Sequence, residues 1–211
     1  MDKPAIKNII FDLGGVILDI DYNKTKQAFI DLGVSNFDDY YQQSFSNPLF
    51  TQLEKGLITP VAFYDGLRDA TGVNLTDPEI YNAWNAMLGS FRQQSIDLLN
   101  QLKNRYRIFL LSNTNAIHHR AFGKIYAGQF GNGDFDSHFE KAYYSHTMHE
   151  RKPEAASYKY VLHEQNLVAE ETLFIDDTYK NIDGAQVVGL QTLFIEHHKP
   201  VEVALGEIIL L

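Results

Sequence analysis

The 211-residue sequence predicts an α/β fold, a parallel sheet flanked by helices, with a helical cap inserted after the first strand. Three observations predict it. Short apolar runs alternate with amphipathic helical patterns through the second half of the chain, as in a parallel sheet covered on both faces. One more apolar run, Ile9-Ile10-Phe11, stands alone near the N-terminus and ends at a carboxylate, Asp12, followed by Gly14-Gly15. Between about residues 22 and 103 the periodicity is helical, with no convincing strand.

The elements follow in order. Residues 7–12 read as strand one. Ala28, Phe29 and Leu32 mark a helical face that Phe37, Tyr40, Tyr41 and Phe45 continue. Thr59-Pro60 is a helix start, Thr as cap and Pro in the first turn, and Gly72 closes the helix that carries Ala62, Phe63 and Leu67. Thr76-Asp77-Pro78 opens another, with Tyr81, Trp84 and Leu88, ending near Gly89. Ile96, Leu99 and Leu102 mark one more. Strands then fall at 107–111, 141–144, 172–175 and 191–195. Helices run through 121–125, from Pro153, through Ile182, Ala185 and Val188, and over 201–210, where Gly206 weakens the pattern. Residues 1–16 and 104–211 are therefore expected to form the core, and residues 17–103 the helical cap.

Composition narrows the function. Hydrophobic content of 45% and charged content of 21% suit an ordinary globular protein of one domain or a core plus insertion. A net charge of −9 argues against nucleic acid held on a broad basic surface, and makes single lysines interesting if the substrate is anionic. With no cysteine there are no disulfides, thiolate nucleophiles or Cys-ligated zinc. No run approaches membrane-spanning length and no leader pattern opens the chain, so a cytoplasmic protein is expected.

Ligands of open parallel sheets bind beyond the carboxyl ends of the strands. Those ends carry Asp12, then Ser112-Asn113, then Lys152 ahead of a helix, then Asp176-Asp177. Each has a plain alternative. Asp12 suits a turn, Ser112 and Asn113 suit a helix cap, and Lys152 suits solvent. As chemistry, Asp12 is placed to attack phosphorus and form an aspartyl-phosphate. The hydroxyl, amide and backbone N–H groups of Ser112 and Asn113 suit phosphoryl oxygens near a helix N-terminus. Lys152 would offset the charge on nucleophile and transferring group. Adjacent carboxylates at Asp176-Asp177 repel one another unless a cation joins them, and Mg2+ takes hard oxygens of this kind. Asp12, the Gly14 carbonyl and Asp177 would supply such a site.

The stretches Phe11-Asp12-Leu13-Gly14-Gly15-Val16, Leu111-Ser112-Asn113-Thr114-Asn115, Arg151-Lys152-Pro153-Glu154 and Phe174-Ile175-Asp176-Asp177-Thr178-Tyr179-Lys180-Asn181-Ile182 resemble, in order and spacing, the four motifs of the haloacid dehalogenase superfamily. The resemblance covers nearly the whole chain and implies a Rossmann-like core, with the helical stretch where that family's first cap type is inserted. It implies Asp12 as nucleophile and magnesium ligand, the Gly14 carbonyl as second ligand, and Asp177 as acidic ligand with Asp176 near the metal. It also implies Ser112 and Asn113 as phosphate binders and Lys152 as the electrostatic clamp. The implied activity is magnesium-dependent hydrolysis of a small phosphorylated metabolite. Hydrolysis of a carbon–halogen bond and a catalytically impaired phosphate-binding regulator stand as alternatives.

One position departs from the pattern. Most phosphatases of this superfamily carry an acid/base Asp two residues after the nucleophile, where this chain has Gly14. That step is typically worth about 10²–10⁴-fold in rate. Bacterial α-D-glucose-1-phosphate phosphatases show a similar Asp-Leu-Gly opening, Ser-Asn-Thr-Asn, Arg-Lys-Pro-Glu and double Asp. An anomeric leaving group needs less protonation, so the resemblance implies a sugar phosphate, especially glucose 1-phosphate.

Weaker signals surround these. His118-His119 follows the second motif and either replaces the missing acid/base or sits on a helix surface, the plainer reading. His146 and His149 lack a third metal ligand at helical spacing and are set aside. Tyr40, Tyr41, Phe45, Phe50, Tyr64 and Trp84 read as cap core, with one or two facing substrate. The turn Glu54-Lys55-Gly56 is placed to reach the cleft from the cap.

Overall fold

The structure, a computed structural model, describes residues 5–42, 45–46, 48–197 and 199–208. Its elements are β1 (Asn8–Phe11), β2 (Leu18–Ile20), α1 (Tyr22–Asp31), α2 (Phe37–Tyr40), β3 (Tyr41–Gln42), β4 (Phe45–Ser46), α3 (Pro48–Glu54), α4 (Pro60–Thr71) and α5 (Asp77–Asn85). They continue with β5 (Leu88–Phe91), α6 (Gln93–Leu102), β6 (Arg107–Ser112), α7 (Ala116–Gln129), β7 (Lys141–Tyr144), α8 (Ser145–Met148) and α9 (Ala155–Glu164). The last are β8 (Thr172–Asp176), α10 (Tyr179–Val187), β9 (Gln191–Phe194) and α11 (Val201–Gly206). The predicted terminal helix thus ends at Gly206, and residues 209–210 lie outside the described residues.

The main sheet is parallel throughout, in the order β7-β6-β1-β8-β9, and helices cover both faces. Period-two alternation divides strand β1 between those faces. Ile9 and Phe11 pack with Leu99, Phe122 and Leu205 on one side, and Ile10 packs with Phe109, Phe174, Tyr158 and Val161 on the other. Phe11 pairs with Leu110 of β6 and Ile175 of β8. This register brings Asp12 and Asp176, the next residues of β1 and β8, to the same end of the sheet as Ser112, which closes β6.

Helices α1 to α5 enclose a separate cluster of Phe29, Phe37, Phe50, Phe63 and Trp84. Their ends obey the expected local chemistry. The Thr59 hydroxyl accepts from Ala62 N at 3.2 Å, and Gly72 closes α4 in the left-handed region. Thr76 and Glu79 form a reciprocal capping box on α5.

The structure departs from the sequence reading in two places. The helical face predicted through Tyr41 and Phe45 stops at Tyr40, and Tyr41–Gln42 pairs antiparallel with Phe45–Ser46. The side chain of Phe45 lies outside what is described. Leu88–Phe91 is a strand, not the tail of a helix. It pairs antiparallel with Leu18–Ile20, because the segment leaving the sheet and the segment returning to it run side by side. Helix α6 sets Ile96, Leu99 and Leu102 in the same cluster as Ile9 and Phe11.

Candidate active site

Asp12 follows directly on β1, where its backbone N–H donates to Ile175 O at 2.8 Å and the carboxylate turns into the crevice beyond the strands. Lys152, 1% exposed, lies with its ammonium 2.8 Å from Asp12 Oδ1 and 2.7 Å from Asp176 Oδ2. The oxygens of Asp12, Asp176 and Asp177 lie within 4.8 Å of one another, the only such group among the described residues able to hold a metal ion. His146 and His149 are no part of it.

The electrostatics follow from three carboxylates around one ammonium. Burial pushes the Asp12 carboxyl up to about 7, with Lys152 pulling it back and Asp176 and Asp177 adding to the rise. Burial and Asp176 raise Asp177 as well. Burial opposes the charge of Lys152, yet Asp12 and Asp176 hold it above the ordinary lysine value. With all three carboxylates ionised one ammonium leaves an excess of negative charge, which a divalent cation offsets, and the oxygens are the hard donors Mg2+ prefers. The donor set fits that ion.

Both oxygens of Asp176 are engaged by the protein in this arrangement. Its Oδ1 accepts from Thr178 N at 2.8 Å and Asn181 Nδ2 at 3.0 Å, and its Oδ2 from Lys152 Nζ and Asn181 Nδ2 at 3.1 Å. It orients the ammonium. Asp177 is more open and lies against Gly15. That glycine has φ +75°, and a Cβ there would meet Asp177 Oδ2 at 2.0 Å, so both backbone and space require glycine.

Ser112, ending β6, is buried and lines a cleft of about 80 Å³ between the sheet and the α1–α5 unit. Asn113 takes a role the sequence did not suggest. Its Nδ2 donates to Lys152 O at 2.8 Å and its Oδ1 accepts from Lys152 N at 2.9 Å. The side-chain amide is thereby used to hold the lysine, which leaves the backbone N–H of Asn113 as its group for an anion. Asn115 caps α7 by accepting from Ile117 N and His118 N, each at 3.0 Å, which points that helix's N-terminus into the site.

His118 is buried, not on a helix surface. Its ring stacks on Trp84 with centroids 4.8 Å apart, and burial holds its pKa down to about 3. A group neutral at pH 7 with that value is a poor acid. The turn after α3 docks on the segment that carries Lys152. Glu54 Oε2 pairs with Arg151 NH2 at 2.9 Å, Lys55 Nζ with Glu154 Oε2 at 2.9 Å, and Lys55 O lies 2.8 Å from His149 Nδ1. Burial raises the Glu54 carboxyl despite Arg151. Of the groups that sequence reasoning passed over, Asn181 had a signal, since it lies five residues after Asp176 in the fourth motif. Glu54 of the turn expected to reach the cleft does line it, whereas the Asn113 clamp and the partners of that turn's ion pairs had no signal.

The family described as "Hydrolase: haloacid dehalogenase-like hydrolase" matches residues 6–189. A D-ribitol-5-phosphate phosphatase of Bacteroides thetaiotaomicron is 31% identical over 189 residues, covering 89% of this chain and 90% of the relative. A sesquiterpene phosphatase of Aspergillus oryzae is 28% identical over 195 residues, covering 90% of each. A crystal structure of a variant HAD family enzyme of Bacteroides thetaiotaomicron, in complex with magnesium and inorganic phosphate, superposes with a TM-score of 0.88 at 34% identity, covering 92% of this chain and 96% of that one.

Proposed function

The chain belongs to the haloacid dehalogenase-like hydrolases, and from that membership we propose a magnesium-dependent phosphatase that cleaves a sugar or sugar-alcohol phosphate through Asp12. The observation that carries this reading is the single ammonium of Lys152 set 2.8 Å and 2.7 Å from two of three clustered carboxylates. Carbon–halogen hydrolysis on the same aspartate needs no cation and leaves that excess of negative charge unexplained. The magnesium in the related crystal structure adds support.

In this reading Asp12, Asp177 and the Gly14 carbonyl hold the metal, while Asp176 and Asn113 hold Lys152. A bound magnesium ion supplies Lewis-acid stabilisation of the phosphoryl oxygens. An Asp12 oxygen bonds to phosphorus as the bond from phosphorus to the alcohol oxygen breaks, and the alcohol leaves with a proton from water in the cleft. Water then displaces the aspartate, which returns as carboxylate beside free phosphate. Lys152 offsets the charge on the phosphoryl group throughout. The Ser112 hydroxyl and the backbone N–H of Asn113, just ahead of α7, orient it.

Residues 21–87 form the cap in this reading, β2 and β5 its paired stems, and α6 belongs to the core. The case for glucose 1-phosphate rests on its better leaving group, which suits a chain with Gly14 at the acid/base position. The relative named for ribitol 5-phosphate acts on a primary alcohol ester and extends the substrate class to pentitol phosphates. The test is phosphate release from ribitol 5-phosphate, glucose 1-phosphate and glucose 6-phosphate, with magnesium and with EDTA. Release that needs magnesium and falls roughly 10³-fold or more in Asp12→Asn is expected. No release from any of them, or full activity in Asp12→Asn, overturns the reading.

A further inference from the structure

The cleft is walled on the side of the proposed cap by Tyr22, Tyr41, Glu54 and Trp84, and on the core side by Ser112 and Asn113. Its charges are one-sided. Among the lining residues Glu54 is the one carboxylate, and none is a lysine or arginine. Burial keeps His118, which also lines it, neutral at pH 7 by holding its pKa down to about 3. The cations of residues 21–87 are engaged elsewhere. Lys26 pairs with Asp38, Lys55 with Glu154, and Arg68 with Asp65 and Asp77, while Lys24 is exposed. No lysine or arginine stands between Lys26 and Lys55 in the sequence.

Arg151 is the cation that meets Glu54, NH2 to Oε2 at 2.9 Å, with both side chains mostly buried. That pairing leaves no positive charge over for a ligand. Oε2 is sealed there, whereas Oε1 is bonded by nothing among the described residues and is not one of the sealed, unpaired atoms. The charge of Glu54 is felt inside the cleft. After burial and Tyr22, it is the next cause that raises the Tyr41 phenol, another group of the wall.

A carboxylate oxygen only accepts, so the group it receives is a donor such as a hydroxyl. A second phosphate, or a carboxylate on the substrate, would meet Glu54 with no cation to offset it, in a cavity of about 80 Å³. Unpaired like charges are how a site rejects a close analogue that its shape would admit. We propose that the cap side of the cleft accepts phosphate esters of uncharged, hydroxyl-bearing alcohols and rejects those with a second anionic group, with Glu54 setting the discrimination. The proposal rests on the phosphatase reading and narrows its substrate class. Neutral sugar and pentitol monophosphates are retained, and bisphosphates and phosphorylated sugar acids are excluded.

The test is kcat/KM for D-ribitol 5-phosphate against 5-phospho-D-ribonate, the same skeleton with a carboxylate for the terminal alcohol. Wild type is expected to favour the ribitol ester about 10²-fold or more. In Glu54→Gln the charge goes and Arg151 is released, so that ratio is expected to fall about ten-fold or more, through a gain on the ribonate. Lys55→Met, which loosens the same turn but keeps the carboxylate, is expected not to lower it. A wild-type ratio near one, an unmoved ratio in Glu54→Gln, or an equal fall in Lys55→Met overturns the inference.

Binding separates this outcome from failure of the phosphatase. Both esters are titrated by calorimetry, with magnesium, into Asp12→Asn and Asp12→Asn/Glu54→Gln. The ribitol ester is expected to bind about ten-fold or more tighter in the first and to lose most of that advantage in the second. Equal affinities in Asp12→Asn, or no binding of either ester, overturn the inference even where phosphate release establishes the enzyme. Conversely, Glu54-dependent selection in a chain whose wild type hydrolyses nothing upholds the inference and defeats the phosphatase.

Discussion

Replacing Lys152 by Met removes the one positive charge from the carboxylate cluster while nearly keeping the side chain's volume. Asp176 is 0% exposed and Asp12 8%, so neither carboxylate can turn to bulk solvent when its partner at 2.7–2.8 Å is lost. Breaking a buried pair from one side typically costs about 3–5 kcal/mol, because the remaining charge stays buried. Against a total stability of about 5–15 kcal/mol that is a large fraction. For a chain of this length it lowers Tm by roughly 6–20 °C. The effect belongs to the orphaned carboxylates, not to the lost methylenes, so Lys152→Met/Asp176→Asn is expected to recover part of the loss. The assay is thermal and urea denaturation of both variants in EDTA, with a double-mutant cycle to extract the coupling. A Lys152→Met chain within 1 kcal/mol of wild type, or a double variant no better than the sum of the singles, refutes the electrostatic account.

Three further outcomes are expected. Gly15→Ala forces a left-handed Ala, costing about 1–2 kcal/mol, and drives its methyl into the Asp177 carboxylate, so calorimetry should show magnesium binding weakened about ten-fold or more. Gly14→Asp restores the acid position, but a Cβ there lies 3.2 Å from Ile20 Cγ1. Gly14→Asp/Ile20→Ala should therefore raise alkyl phosphate hydrolysis relative to p-nitrophenyl phosphate by up to about 10²-fold, and an unmoved ratio counts against a leaving-group proton deficit. Finally, with its pKa lowered to about 3 in the fold, His118 binds fewer protons than in the unfolded chain between there and pH 6.5. Its contribution to stability is thus complete above pH 6.5 and lost as pH falls through that window. Wild type should lose about 2 kcal/mol more than His118→Phe between pH 7 and pH 5, measured as the difference of two urea titrations.

The strands were legible where their physics is local. The buried strands β1, β6 and β8 read as apolar runs, and their ends carry Asp12, Ser112 and Asp176, which the register gathers to one crevice. Thr59, Gly72 and the Thr76–Glu79 box were legible for the same reason, since a cap depends on residues three or four apart. What escaped the sequence depends on contacts between distant segments. Leu88–Phe91 is a strand only because Leu18–Ile20 passes beside it. The side-chain amide of Asn113 grips the Lys152 peptide, 39 positions away, which no local pattern could show. His118 looked superficial because a helical wheel cannot show that Trp84 covers it.

The aromatic cluster of Phe29, Phe50, Phe63 and Trp84 shares no buried member with the two that sandwich the sheet. Away from Ile20 and Leu88, which pack against both this cluster and one of the sheet's, substitutions that reshape one need not disturb the other. A lineage carrying this architecture is therefore free to trade one metabolite for another by drift among the aromatics, while the bond-breaking apparatus is inherited intact.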